Sequence, residues 1–460
     1  MLLLGFGRAA QMIIMFASYR LLSSFFTKAE MSSYYFLLSI AGLFGLIIAN
    51  PIGMYLNRII HQSKNHKQLN SVVLSFFKAM TILSLVTVPI VFIFQTKLSN
   101  DDLSILIIAL ALLVFVLGAT LNGTFVSILN ILSEDRAFVI LTTLTALIGL
   151  SLSVVGVKFI LLNPIIWILG QGIALAVFGL VALILICKKI DPDTSSFKLD
   201  KDQIIKFSMP ILFTNIFVWI MSQSFRFFLK GNVDDSLLGE MAFGLGLATA
   251  LAVAVEYLFQ QLLFPSFYAA LGDDKLVRED SWNKLFSKSA PAFICLTIYM
   301  ITLSPFIISL LADSKFHGAF VFFALGAVVE LFRMLGNMVN MAYQSEMRTK
   351  DSILSYVYGG LVTLCGIVFI SHNPENLYYT PFVLILGQFT IFSSLFLRLR
   401  KIITINYPVK ALLKFLFLGL LLLPALFFRK DPNLIISVVV CSVCGLYLLF
   451  LFYQIQKEKA

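Results

Sequence analysis

Apolar runs of about twenty residues succeed one another along almost the whole chain, and that spacing restricts what it can fold into. A helix needs roughly 20 such residues to cross the hydrocarbon of a bilayer. We read about fourteen spans: 9–27, 33–56, 71–95, 103–126, 138–161, 164–187, 205–229, 239–265, 287–312, 318–343, 352–371, 378–397, 409–428 and 433–453. A β-barrel would need alternating strands of about ten residues, and these runs are too long and too evenly apolar for that. Only 13% of the 460 residues are charged, against about a quarter in a soluble domain. The fold class is an all-α polytopic membrane protein.

Charge placement orients the spans. With the N-terminus inside, 23 of the 34 Lys and Arg fall on the cytoplasmic side and 7 outside, the other 4 lying within spans. This positive-inside bias supports an even span number with both termini cytoplasmic. It also accounts for the net charge of +10 without any nucleic-acid partner. No small-residue cleavage pattern follows the first apolar segment, so it reads as span one and not as a cleaved signal. The five cysteines sit in or at the ends of spans, and the four histidines in predicted loops. That pattern forms no metal-ligand cluster and implies no cofactor.

An eight-residue pattern, Pro-x-x-x-Ile-Leu-Gly-Gln, occurs at Pro164–Gln171 and again at Pro381–Gln388. Ser133-Glu134-Asp135-Arg136 is echoed by Ser345-Glu346-Met347-Arg348, and Glu30-Met31 more weakly by Glu240-Met241. The simplest reading is a duplicated half. It gives a six-helix bundle at 1–187, a polar cytoplasmic linker at 188–206, a second six-helix bundle at 207–401, and two additional helices at 402–460. Six is even, so the bundles insert in parallel; two such halves point to a transporter with its site between them. The repeat's Pro suits a first helical turn and its Gly close packing, so Gln171 and Gln388 read as structural. No loop exceeds about twenty residues, which leaves no room for a soluble catalytic domain, and we expect no enzyme.

Chemistry must then lie inside the membrane, where an ionisable residue costs about 2.5–3.5 kcal/mol on insertion scales. Six candidates stand out: Arg20, Lys78, Arg226, Glu256, Glu330 and Arg333. Lys78 either snorkels to the cytoplasmic face or faces substrate, and Arg226, one turn from Lys230, either snorkels outward or does the same. Glu330 and Arg333 stand i,i+3 on one helix, either neutralising each other or acting in transport. Arg20 and Glu256 have no neutralising neighbour in sequence. A carboxylate so placed is suited to carrying a proton, and Arg20 needs an anionic partner, Glu256 or a substrate. Four cations and two anions leave the interior positive, which suits an anionic substrate. Trp219, Gln223, Tyr257, Asn337, Asn340 and Tyr343 either contact sugars or are packing and interface residues.

The opening of the second half, Ile205-Lys206-Phe207-Ser208-Met209-Pro210-Ile211, carries a resemblance, with Arg226, Gly239 and Leu263-Phe264-Pro265 after it. Glu30 to Tyr35 and Asn57-Arg58 match more loosely in the first half. On these residues the chain resembles the multidrug/oligosaccharidyl-lipid/polysaccharide (MOP) flippase superfamily, in its bacterial polysaccharide-exporter branch, over about residues 1–400. The resemblance implies alternating-access export of polyprenyl-diphosphate-linked oligosaccharide, an O-antigen or capsular repeat unit, across the bacterial inner membrane. Membrane lipids and a polysaccharide polymerase are the further partners it implies. Members often carry an acid just before the Arg that ends span seven; here that position is Phe225. Ion coupling then moves to Glu256, with Glu330, while Arg20, Arg333, Lys78 and Arg226 are the candidates to bind the diphosphate or acidic sugars. The alternatives are a cation-coupled drug antiporter of the same superfamily, a membrane polysaccharide polymerase or ligase, and a non-transporting scaffold.

Overall fold

The computed structural model describes residues 2–63, 69–98, 103–132, 134–189, 201–270, 274–346, 348–428 and 433–458, and all regular structure among them is helical. Helices are what hydrocarbon imposes, because each backbone N–H and C=O there must be bonded within its own segment. Thirteen helical segments among the described residues are long and apolar enough to cross a bilayer, and they coincide with spans two to fourteen. Span one lies on α1, Leu2–Phe25. The chain is a multi-pass membrane protein. It forms two compact units, Met1–Trp219 and Ile220–Ala460. Of the linker expected at 188–206, residues 190–200 lie outside the described residues.

In the first unit, α1 is followed by α2 (Lys28–Phe44) and α3 (Asn50–Ser63), joined by a π-turn at Gly45–Ala49. Then come α4 (Leu69–Ser84), α5 (Thr87–Ile93), and α6 (Ile105–Leu121), which runs through a second π-turn, Asn122–Val126, into α7 (Ser127–Ile131). Long helices α8 (Asp135–Phe159) and α9 (Pro164–Lys189) and the first part of α10 (Lys201–Leu229) complete it. Tyr55, Val72, Phe76, Met80, Phe125, Leu129, Leu141 and Ile186 pack into one core. Lipid tails are as apolar as leucine, so van der Waals fit holds these helices together rather than the hydrophobic effect. Fit is tightest at the repeated motif. A Cβ on Gly170 would lie 2.5 Å from the Ser153 backbone nitrogen, and the Ser153 hydroxyl donates to the Trp167 carbonyl at 2.7 Å.

The second unit holds the rest of α10, then α11 (Asp235–Ala269), α12 (Lys275–Thr302), α13 (Ser304–Leu311), α14 (Phe320–Ser345), α15 (Thr349–His372), α16 (Thr380–Leu399), α17 (Val409–Leu420) and α18 (Leu434–Lys457). Gly387, the second copy's counterpart of Gly170, sits so close to α15 that a Cβ would collide with Thr363 Oγ1. The weak echo at Glu30 and Glu240 has two local meanings. Glu30 closes a capping box on α2, accepting from the Thr27 N–H at 2.7 Å. Glu240 is buried inside α11, whose cap is Asp234.

Span nine departs from the expected 287–312. Its helix starts at Lys275, so Lys275, Arg278 and Lys284 lie on α12 and not in a loop. Asp274 caps it, Lys275 pairs with Glu279 at 3.3 Å, Lys284 pairs with Asp280, and Arg278 forks onto Glu346 at 2.9 and 3.2 Å. Hydropathy sees only the apolar stretch and misses a polar extension held by caps and ion pairs. At the other end the helix stops at Thr302, and α13 begins with Pro305 in its first turn. α18 presents Ile435 (75% exposed), Leu446 (69%) and Leu449 (62%) outward, as a lipid-facing helix does.

Candidate functional site

Two helices of the second unit build an ionic cluster at membrane depth. Glu330, Arg333 and Asn337 stand i, i+3, i+7 on α14 and so share one face, and Thr249 and Glu256 stand two turns apart on α11. Arg333 donates through Nε to Glu330, and its Nη2 lies 2.9 Å from Glu256 Oε2. Each carboxylate gives its second oxygen to a neutral donor: Glu330 accepts from the Thr249 hydroxyl at 2.7 Å, and Glu256 from the Asn337 amide at 2.9 Å. Both acids are 4% exposed, whereas the Arg333 side chain keeps 23% of its surface. Two carboxylates around one guanidinium carry a formal charge of −1. Replacing a buried ion pair by apolar side chains of similar volume is often neutral or stabilising, so stability alone gives no reason for three ionisable groups here. An intramembrane charge is by default a functional-site hypothesis.

Glu256 is therefore not alone, as its sequence neighbourhood suggested. Its counter-charge is Arg333, from 77 residues further along the chain. The four cations divide between the two units. Arg20, half-buried, and Lys78, exposed, belong to the first unit, while Arg226 and Arg333 belong to the second. Lys78 stands in a row with Leu74 (42% exposed) and Ile82 (66%), the outward face of α4. Arg226 is buried at the end of α10, bonded to Gln223 and lying 5.1 Å over the ring of Phe225, which replaces the acid the resemblance expects there. Among the aromatic and amide candidates, Trp219 donates to the Ser39 carbonyl and Tyr343 to the Leu395 carbonyl, and both are buried. Asn337 joins the cluster instead.

Thr249 and Asn337 were not singled out as ligands of the two acids. A weak signal was present, since Thr249 lies seven residues before Glu256 and Asn337 seven after Glu330 on continuous helices, but each bonds the acid of the other helix, and threonine and asparagine are common in such spans. A second feature left no mark in the sequence. In the first unit, α1, α2, α8, α9 and the π-turn after α6 line an open cavity of about 460 Å³. Tyr19 and Leu22 line it on either side of Arg20 in sequence.

Comparison with known proteins agrees with this architecture. The structure of the lipid II flippase MurJ in an inward closed conformation superposes with a TM-score of 0.68 at 13% identity, covering 100% of both chains. An outward-facing multidrug resistance MATE family transporter of the MOP superfamily gives 0.60 at 13% identity, over 93% of this chain and 96% of that one. A MOP superfamily transporter from Pyrococcus furiosus gives 0.58 at 13%, over 92% and 94%. At such identities the likeness is one of fold, and the fold is that of the MOP transporters. No curated protein sequence matches. The model of one sequence family, described as polysaccharide biosynthesis protein, matches residues 1–270, more than half of the chain. The chain belongs to the polysaccharide biosynthesis protein family.

Proposed function

We propose that the chain is an alternating-access flippase that carries a polyprenyl-diphosphate-linked oligosaccharide, an O-antigen or capsular repeat unit, from the cytoplasmic to the outer face of a bacterial inner membrane. One observation carries this reading: the buried Glu256–Arg333–Glu330 cluster at membrane depth, in a chain of this family and fold. Arg333 is held by carboxylates yet keeps an exposed edge. A guanidinium matches phosphate oxygens as well as carboxylates, so a diphosphate competes with Glu256 and Glu330 for it. A proton on Glu256 removes one of the two anionic partners and favours the diphosphate. Proton and lipid diphosphate are thereby coupled through one side chain. Arg20 and Arg226 are proposed to add positive charge along the route; Lys78, on the outward face of α4, is not. The membrane potential assists, since an outward-moving dianion in an inside-negative cell gains about 4–5 kcal/mol per 100 mV.

The test is complementation. In cells lacking their own repeat-unit flippase, the wild-type chain restores surface polysaccharide and Arg333→Gln does not. Full restoration by Arg333→Gln would remove the guanidinium from the mechanism. The cluster's formal −1 charge also favours a second reading, a cation-coupled drug antiporter. That reading predicts resistance to cationic drugs from the wild type and its loss in Glu256→Gln, with no effect on surface polysaccharide.

A further inference from the structure

The first-unit cavity differs in kind from the ionic cluster. Gln11, Ser18, Tyr19, Tyr34, Asn122 and Gln171 line it with amides and hydroxyls, Met15 and Leu150 supply apolar wall, and no Lys, Arg, His, Asp or Glu is among its described lining residues. Its volume of about 460 Å³ falls within the roughly 300–1,000 Å³ of small-molecule sites. Asn122 owes its place there to the π-turn Asn122–Val126 that interrupts α6. Such turns are frequent at functional sites because they re-aim a side chain at the expense of regular bonding. The Asn122 amide donates to Thr145 Oγ1 at 3.2 Å, which fixes the group and leaves its carbonyl oxygen as an acceptor. Gln171 and Ser18 make no side-chain hydrogen bond with the described residues.

Gln171 is the last residue of the repeated motif. Its counterpart Gln388 is buried at 7% exposure, whereas Gln171 is half-buried on the cavity wall. The two copies share their packing glycines and differ in what the glutamine meets. An uncharged wall offers neither a phosphate nor a metal cation an opposite charge. A wholly apolar ligand would leave the Gln171 amide and the Asn122 carbonyl oxygen unbonded, which is costly away from water. A sugar ring suits both halves of the lining, with hydroxyls that donate and accept and a C–H face that packs on tyrosine, methionine and leucine.

We infer that this cavity is a saccharide subsite, taking uncharged sugar residues of the cargo through Gln171, Asn122 and Ser18. The inference rests on the carrier reading above and divides the labour within it, with glycan recognition in the first unit and diphosphate recognition by arginine. The test compares two probes on the purified full chain in lipid nanodiscs: the lipid-linked oligosaccharide extracted from the source cells, and polyprenyl diphosphate without sugar. The wild type is expected to bind the glycosylated lipid more tightly. Gln171→Leu and Asn122→Leu each reduce that affinity about five- to tenfold, the worth of one or two hydrogen bonds, and leave the bare lipid unchanged. Ser18→Ala, a smaller change, does the same more weakly and serves if the leucine variants fail to fold. Gln388→Leu keeps the glycan preference. Equal weakening for both lipids, or no weakening for either, overturns the subsite. Equal binding of both lipids by the wild type overturns the subsite and spares the carrier reading. Binding of neither overturns both.

Discussion

Arg333→Gln tests the ionic cluster most severely. The wild-type guanidinium serves two carboxylates that are each 4% exposed, at 2.9 Å from Glu256 and in direct contact with Glu330. Removing it leaves two like charges buried together, with only the Thr249 hydroxyl and the Asn337 amide among the described residues to meet them. Removing one partner of a buried pair costs about 3–5 kcal/mol. Glu256→Gln is milder, because the Arg333–Glu330 pair survives and a glutamine carbonyl still accepts from Asn337. We expect about 1–2 kcal/mol for the loss of one charged hydrogen-bonding partner. The double variant, Arg333→Gln with Glu256→Gln, leaves one carboxylate in place of two and should recover more than 1 kcal/mol of the Arg333→Gln loss, as residues in one network do. Unfolding in mixed micelles titrated with SDS reads all three. Additive effects, or an Arg333→Gln variant no less stable than Glu256→Gln, would refute the network.

Other predictions follow from separate places. Asn283 holds the segment after α16 at both edges, donating to the Thr404 carbonyl at 2.9 Å and accepting from the Asn406 N–H at 2.8 Å. Asn283→Ala should cost about 1–3 kcal/mol and speed hydrogen exchange at 403–408, with α14 unaffected. Gly387→Ala drives a methyl into Thr363 and should cost about 1–3 kcal/mol, measured by the same unfolding titration, whereas Gly53→Ala, with open space beyond its Cβ, should be neutral or stabilising. Lys78→Leu extends the outward apolar face of α4 and should leave expression and thermal stability unchanged within about 0.5 kcal/mol; a large loss would place Lys78 in an ionic contact.

The spans were legible because a bilayer demands about 20 apolar residues from every helix, and no other fold tolerates that pattern. Their ends were less so. α12 reaches back to Lys275 through Asp274, Glu279 and Glu346, groups that average as a loop on a hydropathy scale. Of the site, the charges were legible singly and their partnerships were not. The i,i+3 spacing gave Glu330 and Arg333, but the contact of Arg333 with Glu256 joins two helices and has no local signature. The repeated motif was legible as packing, through Gly170 and Gly387, and misleading about glutamine. A shared sequence position does not carry a shared environment, and the cavity beside Gln171 takes Asn122 from a π-turn in another helix.

The central claim is that the chain moves an anionic lipid-linked glycan, and translocation in proteoliposomes measures it most directly. Labelled lipid-linked oligosaccharide enters the outer leaflet, and its passage to the leaflet protected from an external lectin is timed with and without a potassium-valinomycin potential. The account predicts passage well above protein-free vesicles, accelerated when the receiving side is positive and lost in Arg333→Gln. Passage no faster than in protein-free vesicles, at any potential, would contradict it.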